Sequence, residues 1–293
     1  MSNVKFCFPN WTQPTSIVTP TATGYGSPDI WVDLDNLQSE VLSEMARCPS
    51  VDTTDTRILI DLGATRNIGM LAMPSHNAQD GDLGRIRIAS DAALTDILYD
   101  SGWVEFLGEI YPFESLASER VEWIDGHLTA EQVADQVVPW IDVLPTEVYG
   151  KYLDVQLDFT DNTDGYVDIG RIFACTVISP TVNTLEGTTP PFYRDPSTKS
   201  RTRRGPSFSD KRKPFLISKL TFGALDIDEV YEEFFEMVRQ YGLSEPFFFI
   251  YNSDAAKYIL MRQSFVATAE NMAEPKNNSY GIYAMDLEIS QQF

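Results

Sequence analysis

The chain has 293 residues, of which 43% are hydrophobic and 12% aromatic, enough to bury sizeable cores and to fill two ordinary domains. It carries 43 Asp and Glu against 22 Lys and Arg, a net charge of −21, which argues against nucleic acid as a partner because phosphate neutralisation needs clustered basic residues. No apolar run approaches the ~20 residues of a membrane-spanning helix, so no membrane insertion is expected. The start MSNVKFCFPNWTQ lacks the basic head and apolar core of a signal peptide, so synthesis and folding in a cytoplasm are expected. Cys7, Cys48 and Cys175 are scattered and odd in number, which suits neither a disulfide framework nor a zinc knuckle.

Residues 1–56 are rich in Thr, Ser, Pro and Gly, and Pro9, Pro14, Pro20 and Pro28 punctuate short apolar pieces. They predict short strands and ordered loops, with one short helix over Leu37–Ala46. From Arg57 the pattern sharpens. RILIDLG sets Ile58, Ile60 and Leu62 on one face, a turn follows at Gly63–Asn67, and IGMLAM makes another strand. The loop Pro74–Gly84 leads into RIRIAS, with Ile86 and Ile88 inward and Arg85 and Arg87 outward. Leu98–Phe106 reads as a further strand broken at a glycine. Residues 107–150 are less regular and read as an insertion, in which Thr129 and Gln132 could cap a short helix.

The stretch Tyr152–Ser179 has the cleanest alternation. Leu153, Val155, Leu157 and Phe159 point one way, and Asp154, Gln156 and Asp158 the other. Asp164 and Gly165 supply a structural turn that tolerates positive φ. The apolar return through Tyr166, Val167, Ile169, Ile172, Phe173, Val177 and Ile178 then predicts a long hairpin. Many short strands with turn chemistry between them make the fold class mainly β, with residues 1–180 an N-terminal β-sandwich.

Residues 181–214 differ in kind. Pro, Ser, Thr and basic residues dominate, and Arg194–Lys213 holds eight basic against two acidic residues, +6, which leaves −27 on the rest. Two readings apply: a solvated linker, or an arm that docks on an acidic neighbour such as another copy of the chain. Arg201, Arg203, Arg204, Lys211, Arg212 and Lys213 are its candidate interaction residues. Residues 215–293 predict a small α+β domain. It opens with the strand FLISKLTFG. A helix signalled by Asp226 and Glu229 follows, with Ile227, Val230, Tyr231, Phe234, Val238 and Tyr241 on one apolar stripe and Gly242 as terminator. PFFFIYN, YILMRQSF and YGIYAMDLEIS complete it as strands.

The residues give little sign of catalysis. His76 and His127 have no Cys or carboxylate at ligand spacing, so they read as structural or solvent-facing. No G-x-S-x-G elbow, phosphate loop or dinucleotide fingerprint is present. No catalytic residue, cofactor or metal is assigned, and the chain is not expected to be an enzyme. Asp158, Asp161, Asn162, Asp164 and Asp168 invite a calcium reading. An EF-hand register with Gly165 at the sixth position fails, because it puts Thr160 first and Arg171 twelfth. The favoured reading is a polar turn whose side chains satisfy nearby backbone donors. Trp31, Trp103, Trp123 and Trp140 could form a sugar platform, though aromatic residues more often pack in cores.

Taken together, RILIDLGATRNIGMLAMPSHNAQDGDLGRIRIASD, LYDSGWV and DNTDGYVDIGRIFACTVISP resemble a discoidin-like (galactose-binding-like) jelly roll. The whole arrangement resembles tail-tip or baseplate proteins of long-tailed bacteriophages, through Asp161, Asn162, Asp164, Gly165, Tyr166, Ile169, Gly170 and Arg171. That resemblance implies a structural virion component of the tail, built into a ring or trimer with copies of itself and other tail proteins. The jelly roll alone would equally suit a carbohydrate-binding module that attaches to a cell-surface glycan.

Overall fold

The computed structural model describes residues 3–12, 16–18, 28–107, 126, 138–185, 188–201, 207–240, 242–279 and 281–292. The first half holds β1 (Lys5–Asn10), β2 (Ser16–Val18), β3 (Ala46–Cys48), β4 (Ile58–Met73) and β5 (Leu83–Ala89). It continues with β6 (Ile97–Asp100), β7 (Val104–Glu105), β8 (Trp140–Asp158), β9 (Val167–Ile169) and β10 (Phe173–Ile178). The second half holds β11 (Thr189–Arg194), β12 (Thr198–Arg201), β13 (Ser207–Asp210) and β14 (Phe215–Asp226). Helix α1 follows, a π-helical stretch Glu229–Phe234 continued by the α-helical Phe235–Gln240. Then come β15 (Phe247–Ile250), α2 (Lys257–Arg262), β16 (Ser264–Met272), β17 (Lys276–Ser279) and β18 (Ile282–Gln291).

The fold is mainly β. One antiparallel sheet runs β11-β14-β18-β16-β15-β1-β10-β4-β8-β5-β6, with β2 added on β4, β7 on β5 and β17 on β18; β3–β9 and β12–β13 form separate pairs. In the first half Ile58, Ile60, Ile86, Ile88, Leu153 and Val155 of the large sheet share a core with Ala46, Cys48, Val167 and Ile169 of the β3–β9 pair. Two layers with one core between them make the β-sandwich, or jelly roll. A second core gathers Leu216, Leu220, Phe222, Val230, Phe234, Met237 and Phe249 of the C-terminal half, where the sheet is covered by α1.

Strand β1 is the seam. Its Phe6 pairs with Ile178 of β10 on one side and with Phe249 of β15 on the other. Phe6 and Phe8 belong to the C-terminal core, whereas Cys7 joins Met70, Ala72, Phe173, Cys175, Phe248, Ile250 and Val266 in a core shared by both halves. Alternation along one short strand thus sends side chains into two cores. Each fully buried Phe of this kind contributes roughly 1.5–3 kcal/mol. Where the β1–β10 register shifts, the Asn10 side chain satisfies the freed groups: its Oδ1 accepts from Ala174 N–H at 3.1 Å and its Nδ2 donates to Ile172 O at 3.2 Å.

Several expectations need correction. The Tyr152–Ser179 stretch is not a hairpin, because β8 pairs with β4 and β5, while β9 pairs with β3 and β10 with β4 and β1. The turn carries the chain from the large sheet to the small one, and turn chemistry alone does not say which strand becomes the neighbour. RILIDLG and IGMLAM join into the single long β4, whose register on β8 shifts between Asp61 and Arg66. Residues 140–150 of the expected insertion belong to β8; its candidate cap Thr129 and Gln132 lies outside the described residues. Leu37–Ala46 is not helical beyond a 3₁₀ turn at Leu34–Gln38, and the start of YILMRQSF is the helix α2. Within 181–214, where a linker or arm is expected, β11 adds to β14 and β12 pairs with β13.

Candidate functional site

The acidic turn after β8 is bound to the loop before β5. Asn162 Nδ2 donates to Asp82 Oδ2 at 2.8 Å and to Asn77 O at 3.1 Å, while its Oδ1 accepts from Asp164 N–H at 2.9 Å. Thr163 N–H and Oγ1–H both reach Gln79 Oε1, at 3.1 and 2.8 Å. Asp168 takes both arms of the Arg47 guanidinium at 2.7 and 2.6 Å, and that guanidinium lies 4.0 Å from the centre of the Tyr166 ring. Gly165 has φ 74°, and its N–H donates to Asn162 O at 3.3 Å. Burial pushes the Asp82 carboxyl above its usual range, offset by the bonds from Gln79 and Asn162. Asn and Asp side chains here interlock two loops rather than converge on a point, and among the described residues no three His, Cys, Asp or Glu side chains could hold a metal ion. Arg171 of the same motif is buried, its guanidinium 4.8 Å from the centre of the Phe173 ring.

His76 sits in the same loop as a structural group. Its Nε2–H donates to Val138 O at 2.7 Å and its Nδ1 accepts from Ala78 N–H at 3.2 Å, with the ring packed on Phe106 at 4.6 Å. Burial lowers its pKa to about 4, only partly offset by the bond to Val138. His127 lies outside the described residues.

The four candidate tryptophans divide. Trp31 and Trp140 are buried in the first core, and Trp123 lies outside the described residues. Trp103 is 44% exposed. The Arg85 guanidinium stands 5.9 Å from its ring and binds Asp100, whose Oδ1 accepts from Arg85 Nε at 2.8 Å. That bond, ahead of burial, leaves the Asp100 carboxyl below its usual range. Nearby on the outer sheet face, buried Asp154 accepts from Arg57 at 2.9 Å, Arg87 at 2.7 Å and Gln156 at 2.6 Å, so its charge is matched by structural partners.

Helix α1 departs most from expectation. The single stripe read from sequence splits: Val230 and Phe234 face the core with Met237, whereas Ile227, Tyr231 and Val238 face solvent together with Phe235. Tyr231 and Phe235 are 54% and 55% exposed, although large apolar side chains that share a face are normally covered. Together with Met272, Pro275 and Tyr283 they wall a cleft of about 250 Å3. Glu233, on the same helix, has a carboxylate oxygen that is buried without a hydrogen-bond partner among the described residues. Burial first, then Glu229 and Glu232, push its pKa up to about 7. The sequence signal for this face was the excess of apolar residues, more than one stripe needs; the π-helical stretch that changes their phase was not visible.

The basic segment is only partly described. Arg201 ends β12, and Arg203 and Arg204 lie outside the described residues. Lys211, Arg212 and Lys213 follow β13 and are exposed; Arg212 Nε meets Asp210 Oδ2 at 3.1 Å. Of the six candidate interaction residues, the four described, Arg201, Lys211, Arg212 and Lys213, lie at the ends of the β12–β13 pair.

Comparison with known proteins gives a fold likeness only. No protein-family profile matches the chain, and no curated protein is significantly similar to it. Among solved structures, a CBM32 module of a family 31 glycoside hydrolase from Clostridium perfringens is 8% identical, with 56% of this chain and 95% of that chain covered at a TM-score of 0.35. The lectin domain of lectinolysin complexed with Lewis B antigen is 13% identical, with 57% and 95% covered at a TM-score of 0.26. A truncated AlyQ with CBM32 and alginate lyase domains is 12% identical, with 64% and 37% covered at a TM-score of 0.30. The sandwich assignment rests on the strand order and shared core described above.

Proposed function

We propose that this chain is a non-catalytic assembly protein that binds another protein through the outward face of helix α1. The observation that carries this is the exposed stripe Ile227, Tyr231, Phe235 and Val238 beside its cleft. Leaving four large apolar side chains in water on one face gains nothing for the isolated chain, and such patches mark contact surfaces. The resemblance of the D-N-T-D-G-Y turn region to tail-tip proteins supports the tail of a long-tailed bacteriophage as the setting, and the virion as the location. The test compares the wild type with Tyr231→Asp and Phe235→Asp for incorporation into purified tail particles. Both residues are exposed, so the variants should keep the wild-type melting curve while incorporation falls. Incorporation unchanged in both would refute the reading.

A second reading is glycan binding at Trp103, favoured by its exposed ring beside the Arg85–Asp100 pair, a stacking face next to fixed polar groups. Glycan-array binding that disappears in Trp103→Ala would support it, and an array without signal would remove it.

A further inference from the structure

We infer that the partner on the α1 face is the basic β12–β13 hairpin of a second copy of this chain, docked head to tail. This rests on the assembly reading above and names the partner for the same surface.

The hairpin needs a cover. Among the described residues β12 and β13 pair only with each other, and the main sheet does not continue into them. A two-stranded hairpin with nothing packed on it is marginal in water. Thr198, Lys199, Ser200, Ser209 and Asp210 are exposed, so none of the described residues covers them.

The helix offers the complementary surface. Residues 226–240 hold six carboxylates and one basic residue, Arg239, whereas Arg194–Lys213 carries +6. Opposite fields of this kind steer encounter and fix orientation, and the apolar stripe within the acidic rim supplies the desolvated centre.

Geometry makes the contact intermolecular. Arg194 of β11 pairs with Phe215, the first residue of β14, so the hairpin leaves the sheet at that end. Helix α1 begins beyond Asp226, at the other end of β14. Twelve residues of strand separate the two, roughly 40 Å at the usual rise. A hairpin on one end and its acceptor on the other give a heterologous contact, the kind that closes into rings.

The experiment is sedimentation velocity on the full chain across protein concentration, at low and high salt. The wild type should self-associate, and less so at high salt. Lys199→Glu with Lys211→Glu should weaken association on the order of tenfold or more, and so should Asp228→Lys with Glu232→Lys. All four residues are exposed, so near-wild-type melting curves are expected. Combining the four changes lowers the hairpin segment from +6 to +2 and the helix segment from −5 to −1, so association should fall below that of either pair alone. A wild type that stays monomeric, or a fourfold variant that associates as the wild type does, overturns the proposal. If hairpin variants associate and enter tails normally while Tyr231→Asp does not, the hairpin falls and the assembly reading stands. If Tyr231→Asp is also without effect, both fall.

Discussion

Acidification from pH 7.5 to pH 5 should weaken the fold through His76. Both ring nitrogens are committed, Nε2–H to Val138 O and Nδ1 to Ala78 N–H, so adding a proton to Nδ1 replaces an accepted bond with two donors facing each other. The folded pKa of about 4 lies below the unfolded value, which is ~6.5. The unfolded chain therefore binds more protons between these values, and stability falls as the pH drops. Integrated down to pH 5, the loss is about 2 kcal/mol, and below pH 4 it approaches about 3 kcal/mol. The assay is urea unfolding of the wild type and His76→Gln at both pH values. Carboxylates titrate in both proteins, so the difference isolates the imidazole. The wild type should lead at pH 7.5 and lose about 2 kcal/mol of that lead at pH 5. A lead that is the same at the two pH values would refute the reasoning.

Other outcomes follow from single features. Gly165→Val should lower stability by roughly 1–3 kcal/mol, wholly through the positive φ, because no atom lies within 4 Å of an added Cβ; an unchanged melting temperature would contradict this. Glu233→Gln should stabilise the protein at pH 8, because the raised pKa makes the native carboxylate lose stability as pH rises from the unfolded value through about 7. Its advantage should vanish by pH 4, and an advantage independent of pH would count against it. Phe6→Ala should lower stability by about 3–5 kcal/mol and shift near-ultraviolet signals from both halves in one transition; two separate transitions would show that β1 does not couple them. We also propose that residues 1–180 and 215–293 are two domains that β1 couples and the basic segment joins. Trypsin should cut that segment first, and the β1–β15 ladder should keep the nicked pieces together until denaturant is added. Early cuts within 57–180 would defeat the division.

The parts of the fold that were legible in the sequence are those set by period. Ile86 and Ile88 against Arg85 and Arg87, or Leu153 and Val155 against Asp154, announce strands and faces without any knowledge of neighbours. Pairing was not legible. Nothing in KFCFPN says that Phe6 and Phe8 will enter a core built from residues 216–289 while Cys7 enters another. The Asp164–Gly165 turn was visible, but a turn limits direction and not partner, so β8 and β10 looked adjacent although β4 lies between them. Helix α1 was found from its start signal, and Glu229 does accept from Asp226 N–H at 2.9 Å. Its outward face was missed because a stripe counted at three and four assumes α-helical phase throughout. The tryptophans were indistinguishable in sequence, since exposure depends on where β6 and β7 end.

Strand β1 also sets an order of events during synthesis. Lys5 pairs with Ile250, so β1 is flanked on one side by a strand made far later along the chain. At ~5–20 residues per second, β15 leaves the ribosome roughly 12–50 s after β1. Throughout that interval Phe6 and Phe8 have no core to enter, and one edge of β1 has no strand beside it. The jelly roll can close on β10 well before, holding a half-paired strand with two bare aromatic rings at its rim. Chains that terminate early would keep that edge, which is the kind other unfinished chains add to. The fold removes it only when β15 arrives, so synthesis of that later strand acts as the quality check on β1.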